Sequence, residues 1–344
     1  MNSAWKIYLQ NCNAIIENDC ITHYGNAAIE LETTKYSTAL VDLSHLGLIY
    51  FSGEDAESFL QGQLSCDVKK IHPYLAQYGS YCTPKGRILA SFLMWHDGIN
   101  YVMQMPATLC TNVKKYLSKF VLRSKVQLID NSETLVRIGI SGNKARKLME
   151  EILGTIPDSH LGIIHNEQES ILHLGQDRFE IIAKPERAPK LWEYLSSGAV
   201  PVGSPYWDWL EIRAGIPVIT PATQEQFIPQ MVNLEMIGGV SFQKGCYSGQ
   251  EIISRTQYLG KIKRRMYLGN IHSNTPIAAG DELYSAEIED QPSGIIVNAA
   301  PSPDGGFDVL AVLQISSAVA GKVYWKTLDG PQLEIIPLPY SFNH

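Results

Sequence analysis

Apolar and polar positions between residues 40 and 200 switch between two periods, and the switch repeats. Leu48-Ile49-Tyr50-Phe51-Ser52-Gly53 is an apolar run ending in Ser-Gly, and so is Ile138-Gly139-Ile140-Ser141-Gly142. Each reads as a strand, and each is followed by apolar residues at helical spacing. These are Ala56, Phe59 and Leu60 after the first, and Ala145, Leu148 and Met149 at matching offsets after the second. A second echo supports the repeat: Tyr101-Val102-Met103-Gln104-Met105-Pro106 leads into a helical pattern over Val113 to Leu122. In the same way Phe179-Glu180-Ile181-Ile182-Ala183-Lys184-Pro185 leads into Lys190 to Leu195. The prolines stand before the helices and not inside them, where they would remove a hydrogen bond. Each half reads strand, helix, strands, helix, which predicts two related α+β modules, each an antiparallel sheet with helices on one face.

The pattern breaks at Pro201, Pro205, Pro217 and Pro221, which bracket a short helical piece from Trp207 to Ala214. From Lys261 onward short β-rich runs dominate: Met266-Tyr267-Leu268, Ile295-Ile296-Val297, Val309-Leu310-Ala311-Val312-Leu313 and Leu333-Glu334-Ile335-Ile336. Asp304-Gly305-Gly306 and Asp329-Gly330 are turn signals between them. A C-terminal β-barrel or sandwich is expected there.

Composition changes this picture little. A chain of 344 residues is long for one domain, and 45% hydrophobic with 18% charged residues is that of an ordinary soluble globular protein. No window approaches the roughly 18 apolar residues of a membrane span, and Met1 to Gln10 lacks the basic flank and apolar run of a leader. No membrane association is expected, and the expected location is cytoplasmic. A net charge of −7 argues against a broad nucleic-acid surface. Locally, Arg255, Lys261, Lys263, Arg264 and Arg265 form a basic run able to hold a phosphate or polyanionic tail; a solvated strand edge is the competing reading.

One octapeptide looks built for chemistry: Lys244-Gly245-Cys246-Tyr247-Ser248-Gly249-Gln250-Glu251. The two glycines permit turns and close approaches, and Lys244 or a nearby helix N-terminus would favour a thiolate at Cys246. The alternative is a glycine-flanked loop with an incidental small residue. Cys12, Cys20, Cys66, Cys82 and Cys110 form no CxxC pair and no Cys/His cluster, so neither a disulfide scaffold nor a resident metal site is expected. A metal meeting Cys246 would have to be shared with another thiol, a cofactor or a partner.

The octapeptide follows Leu210-Glu211-Ile212-Arg213-Ala214-Gly215-Ile216-Pro217 and Gln226-Phe227-Ile228-Pro229-Gln230. Earlier in the chain stand Gln61-Gly62-Gln63-Leu64-Ser65-Cys66-Asp67-Val68 and Thr83-Pro84-Lys85-Gly86-Arg87-Ile88. Taken in this order the blocks resemble the YgfZ family of folate-binding proteins, which serve iron–sulphur cluster assembly and tRNA modification. The wider superfamily is that of the glycine-cleavage T-protein, an aminomethyltransferase. The resemblance implies a T-protein-like three-domain ring around a central tetrahydrofolate pocket. Its parts would be a first α+β folate-binding domain at 1–125, with 215–258 packing back onto it, a second α+β domain at 126–205, and a C-terminal β-barrel at 259–344.

Residue by residue, the resemblance implies that Glu180 hydrogen-bonds the pterin edge, where a carboxylate meets a guanidine-like pair of N–H groups. An exposed strand carboxylate is the alternative. Trp207 would offer a flat surface to a pterin or benzoyl ring, with Trp209 as its competitor by register and an ordinary core tryptophan as the alternative. Arg213 would meet the glutamate tail of folate or form a surface ion pair. Tyr247 and Gln250 would orient the loop or the ligand. A second family tryptophan falls on Leu46. There is one departure of consequence: the paired aspartates of the T-protein stretch are Ala90-Ser91 here, and neither residue is a carboxylate base.

The function implied is a folate-binding accessory protein of iron–sulphur cluster assembly or repair, supporting cluster-dependent tRNA modification. Cys246 would be its essential thiol and a transient cluster ligand. Its partners would be tetrahydrofolate or a related folate and, transiently, cluster proteins or a scaffold, with no stable nucleic-acid binding. The alternative is a tetrahydrofolate-dependent one-carbon transferase using another base. A third reading is an RNA-binding module using the basic run.

Overall fold

The Ser-Gly junctions are where the chain turns from strand to helix in the computed structural model, which describes residues 1–288 and 291–341. Leu46–Ser52 is a strand followed by the helix Ala56–Gln61, and Val136–Ser141 is a strand followed by Ala145–Leu153. Gly53 and Gly142 between them have φ of +114° and +125°, a region open to glycine and strained for other residues. Each glycine is also tightly covered. A Cβ at Gly53 would lie 2.1 Å from the carbonyl oxygen of Lys125, and one at Gly142 would lie 2.8 Å from the Cα of Thr38.

Those two covering residues mark an exchange of strands. Ala39–Asp42 precedes the first repeat yet pairs antiparallel with Val136–Ser141 of the second. Gln127–Asp130 precedes the second repeat yet pairs antiparallel with Leu46–Ser52 of the first. Each repeat therefore takes its flanking strand from the chain leading into the other.

The chain forms two compact units. The first comprises Met1–Phe59, Lys69–Gln77 and Leu93–Trp207. In it, Tyr101–Pro106 pairs with Leu46–Ser52, as Arg178–Ala183 pairs with Val136–Ser141. The second sheet runs Ile163–His165, Glu169–Gly175, Arg178–Ala183, Val136–Ser141, Ala39–Asp42, Val200–Val202, and only the last pairing is parallel. One face of this sheet carries Ile138, Ile140, Phe179 and Ile181, which bury against Leu148, Met149, Leu191, Trp192 and Leu195 of the two helices Ala145–Leu153 and Ala188–Ser196. The N-terminal helix Ser3–Asn11, unread in the sequence, adds Trp5 and Leu9 to the same core. Trp5 also reaches the buried Asp42, donating from Nε1 to Oδ1 at 2.7 Å.

The second unit comprises Leu60–Val68, Tyr78–Phe92 and the chain from Asp208 onward. Its C-terminal sheet runs Tyr324–Trp325, Glu282–Tyr284, Gly294–Pro301, Phe307–Gln314, Arg264–Ile271, Leu333–Ile336, an antiparallel sheet curled into a half-barrel. Its edge strands Tyr324–Trp325 and Leu333–Ile336 are joined through the Tyr324–Gln332 bridge and by Leu333 N donating to Val323 O at 2.8 Å; of the span 259–344, for which a β-barrel is expected, residues 289–290 and 342–344 lie outside the described residues. Residues 215–258 are hydrogen-bonded to 60–92: Ile88 N donates to Phe227 O at 2.9 Å, Glu225 N to Ile88 O at 2.8 Å, and Ser65 Oγ to Gly239 O at 2.6 Å. Cys82 and Ile88 share one core with Ile219, Phe227, Tyr247, Ile253, Leu268 and Val312. The second unit thus joins residues 60–68 and 78–92 to the chain from Asp208 onward. Among the described residues no helix is long and apolar enough to cross a membrane.

Trp5→Phe removes the donor to buried Asp42 and shrinks a buried ring. It is expected to lower stability by at least about 1–3 kcal/mol, read as a shift in the urea midpoint followed by circular dichroism. An unchanged midpoint would show that this bond contributes nothing.

Candidate functional site

Residues 244–249 alternate sharply between inside and outside. Lys244 and Tyr247 are buried while Gly245 and Cys246 are exposed. Lys244 Nζ donates to Leu64 O at 2.7 Å and to Cys66 O at 2.8 Å, and it lies 5.0 Å from the centre of the Tyr247 ring. Expected to act on the thiol of Cys246, Lys244 instead directs its ammonium inward to two main-chain carbonyls. Desolvation pulls its pKa down to about 8, with Cys66 and Asp67 opposing that fall electrostatically.

The other flank of the loop is also fixed. Ser248 Oγ donates to Cys82 O at 3.0 Å. Gly249, at φ +83°, caps the helix Gln250–Tyr258, and a Cβ there would lie 2.6 Å from Thr83 O and 2.8 Å from Gly86 Cα. Gly86 in turn has φ +70° and closes a turn by donating to Thr83 O at 2.8 Å. The turn at Thr83–Gly86 thus packs against Gly249 at the end of the cysteine loop. A Cβ at Gly245 would touch nothing within 4 Å, so that glycine serves no close approach. Gln250 Nε2 reaches back to Lys244 O at 3.5 Å. Burial pushes the thiols of Cys66 and Cys82 up to about 12, whereas Cys246 is exposed.

Glu180 and Trp207 lie in the other unit, on the second sheet's opposite face. Residues paired across an antiparallel ladder point to the same side, so Gly139 opposite Glu180 and Ser141 opposite Arg178 share one face, away from the helices. Glu180 is fully buried, and its Oε2 accepts from Gln104 Nε2 at 2.9 Å. Gly139 leaves room for Trp207, whose ring a Cβ there would meet at 2.5 Å. The Arg178 guanidinium lies 5.4 Å from the centre of the Trp207 ring. At 1% exposure, Trp207 is not an open stacking platform. Burial lowers the Arg137 pKa, with Glu180 and Asp42 opposing that fall. Gln104 Oε1, Arg137 Nη1 and Trp207 Nε1 are buried without a hydrogen-bond partner among the described residues. A face with such orphaned donors and acceptors beside a carboxylate suits a planar ligand bearing both.

The remaining candidates have structural partners. Ser91, at the lost carboxylate position, donates from Oγ to Pro217 O at 2.8 Å and accepts from Ile219 N at 2.9 Å, while Ala90 is buried. Arg213 lies 3.5 Å from Asp308 Oδ2, which also accepts from Trp209 Nε1 at 2.8 Å. Trp209 is thereby held in the second unit. Among the described residues no group of three or more His, Cys, Asp or Glu could hold a metal ion.

Two residues escaped the sequence reading. Gln104 was signalled by its place as the one polar residue in Tyr101–Pro106. Asp208, between the two tryptophans, is accessible yet set deep enough for desolvation to raise its carboxyl to about 7.

A family model described as the GCVT N-terminal domain matches residues 21–243. A tRNA-modifying protein YgfZ from Colwellia psychrerythraea is 33% identical over 280 residues, covering 80% of this chain and 85% of that protein. Another, from Photorhabdus laumondii, is 29% identical over 317 residues, covering 91% and 95%. Among solved structures, the glycine cleavage system aminomethyltransferase T from Bartonella henselae aligns with a TM-score of 0.78 at 18% identity, over 98% of this chain and 97% of that one. That likeness establishes a T-protein-like fold.

The two glycines beside Cys246 are predicted to differ. Gly245→Ala should leave stability within about 0.5 kcal/mol, whereas Gly249→Ala should cost about 1–3 kcal/mol because it combines positive φ with a steric overlap. Urea denaturation of both variants checks this, and equal costs would contradict the loop geometry.

Proposed function

The chain belongs to the GCVT N-terminal domain family and, within it, to the YgfZ family; from that membership we propose a folate-binding accessory protein of iron–sulphur cluster assembly or repair that supports tRNA modification. The observation that carries the proposal is Cys246, held outward on a loop fixed by Lys244 on one side and Gly249 on the other. The relatives' name supports the tRNA-modifying role. A thiolate is a soft ligand suited to iron and sulphur, and one thiol cannot hold a cluster alone. Cys246 therefore contacts the cluster as cargo, jointly with a client or scaffold protein. All six cysteines are free, which fits the reducing cytoplasm in which this proposal places the protein.

The folate part of the proposal rests on the buried face around Glu180. Glu180 would accept from the pterin's N–H edge, with Gln104 fixing the carboxylate and offering its free Oε1, and Trp207 would act as an indole N–H donor. Bound tetrahydrofolate supplies a reduced one-carbon carrier. Ser91 weighs against transfer by the T-protein route, because its hydroxyl is engaged with residues 217 and 219. A one-carbon transferase using another base remains the second reading; Asp208, an exposed carboxylate between Trp207 and Trp209, is the base it would use.

Cys246→Ala should fold and bind tetrahydrofolate as the wild type does, yet fail to support a cluster-dependent tRNA methylthiolation in cells; full support by this variant sinks the thiol role. Titrating tetrahydrofolate against tryptophan fluorescence should give saturable quenching, weakened about tenfold or more in Glu180→Gln. A flat wild-type titration removes the folate half. Methylenetetrahydrofolate made by the purified protein from an aminomethyl donor, and lost in Asp208→Asn, would put the transferase reading first.

A further inference from the structure

Between Cys246 and Arg264 the chain carries four cations, Arg255, Lys261, Lys263 and Arg264, against the single carboxylate Glu251. Among the described residues none of these cations is ion-paired, whereas neighbouring Arg265 is bound to Glu235. Lys85 adds another cation without an ion pair, on the turn whose Gly86 packs against Ile252. Arg255, Lys261 and Lys263 are exposed. So is Tyr258, at 69%, with its ring steadied edge-on by Phe242 at 6.1 Å between centres. Arg255 and Tyr258 stand three residues apart on the helix Gln250–Tyr258, so they share a face.

The net charge of −7 suggested no stable nucleic-acid binding. At physiological ionic strength, however, charges beyond about 8 Å are largely screened, and the local set decides. A row of unpaired cations beside a braced, exposed aromatic is the arrangement that takes a phosphate backbone and stacks a base. We propose that the outer face of Gln250–Tyr258 and the segment through Arg264 is a weak, salt-dependent contact surface for tRNA, adjoining the Cys246 loop. The inference rests on the reading that the protein serves tRNA modification, and it places the RNA on the same unit as the thiol. Aliphatic Ile252 and Leu259, also exposed, are what an acidic protein partner would use instead.

The probe is an unmodified tRNA transcript, titrated by fluorescence anisotropy at several salt concentrations. Wild type should bind with a slope of log K against log salt of about −3, a loss of roughly 60-fold between about 50 and 200 mM. The variant Arg255→Ala/Lys261→Ala/Lys263→Ala/Arg264→Ala should have a slope near zero at an unchanged urea midpoint. Tyr258→Ala should bind at least about fivefold more weakly with the slope retained. No binding by wild type at about 50 mM salt, or equal binding by the quadruple variant, overturns the proposal. Equal RNA binding by that variant with loss of tRNA modification in cells also overturns it, and assigns the surface to an acidic protein. Cys246→Ala should bind the transcript as wild type does, so failure of the thiol role and failure of the RNA surface are told apart.

Discussion

The cysteine loop depends on one buried charge. Taking an ammonium out of water costs several kcal/mol unless hydrogen bonds replace the lost hydration. Lys244 meets that requirement with the carbonyls of Leu64 and Cys66 and the face of Tyr247. The geometry therefore fixes more than one side chain. With Lys244 and Tyr247 anchored inside, the two residues between them have nowhere to go but out, and Cys246 is one of them. The same anchor fixes the segment around Cys66, so a block early in the sequence and one late in it become a single local structure.

A comparable constraint shapes the buried face of the other unit. Because Ala39–Asp42 and Gln127–Asp130 are exchanged between the repeats, neither repeat completes its sheet without the chain leading into the other. That interlocking carries Gln104, from one sheet, into hydrogen-bonding range of Glu180 on the other. Gly139 then makes space for Trp207. A carboxylate with orphaned donors and acceptors around it is the kind of local violation of packing rules that folds retain for a ligand.

How much of this could be read from residues alone follows from what each signal encodes. The strand-to-helix junctions were legible because period and glycine coincide at Gly53 and Gly142, and the structure places a positive φ at both. The exchange was not legible, since strands as short as Ala39–Asp42 carry no information about their partner. Adjacency misled at Lys244: the cation nearest Cys246 in sequence is buried on the carbonyls of Leu64 and Cys66, while Cys246 is exposed. The register of Trp207 against Trp209 stayed open in the sequence because both are large apolar residues on one short helix, and their partners, Gly139 and Asp308, lie far away along the chain.

The claim that Lys244 holds Cys246 outward and keeps its neighbours shut is tested most directly by brief iodoacetamide labelling with peptide mapping, in wild type and in Lys244→Met. The account predicts that wild type is labelled at Cys246 well before Cys66 or Cys82, and that in Lys244→Met the loop loosens and both buried thiols become reactive. Labelling of Cys66 or Cys82 as fast as Cys246 in wild type, or an unaltered pattern in Lys244→Met, would contradict it.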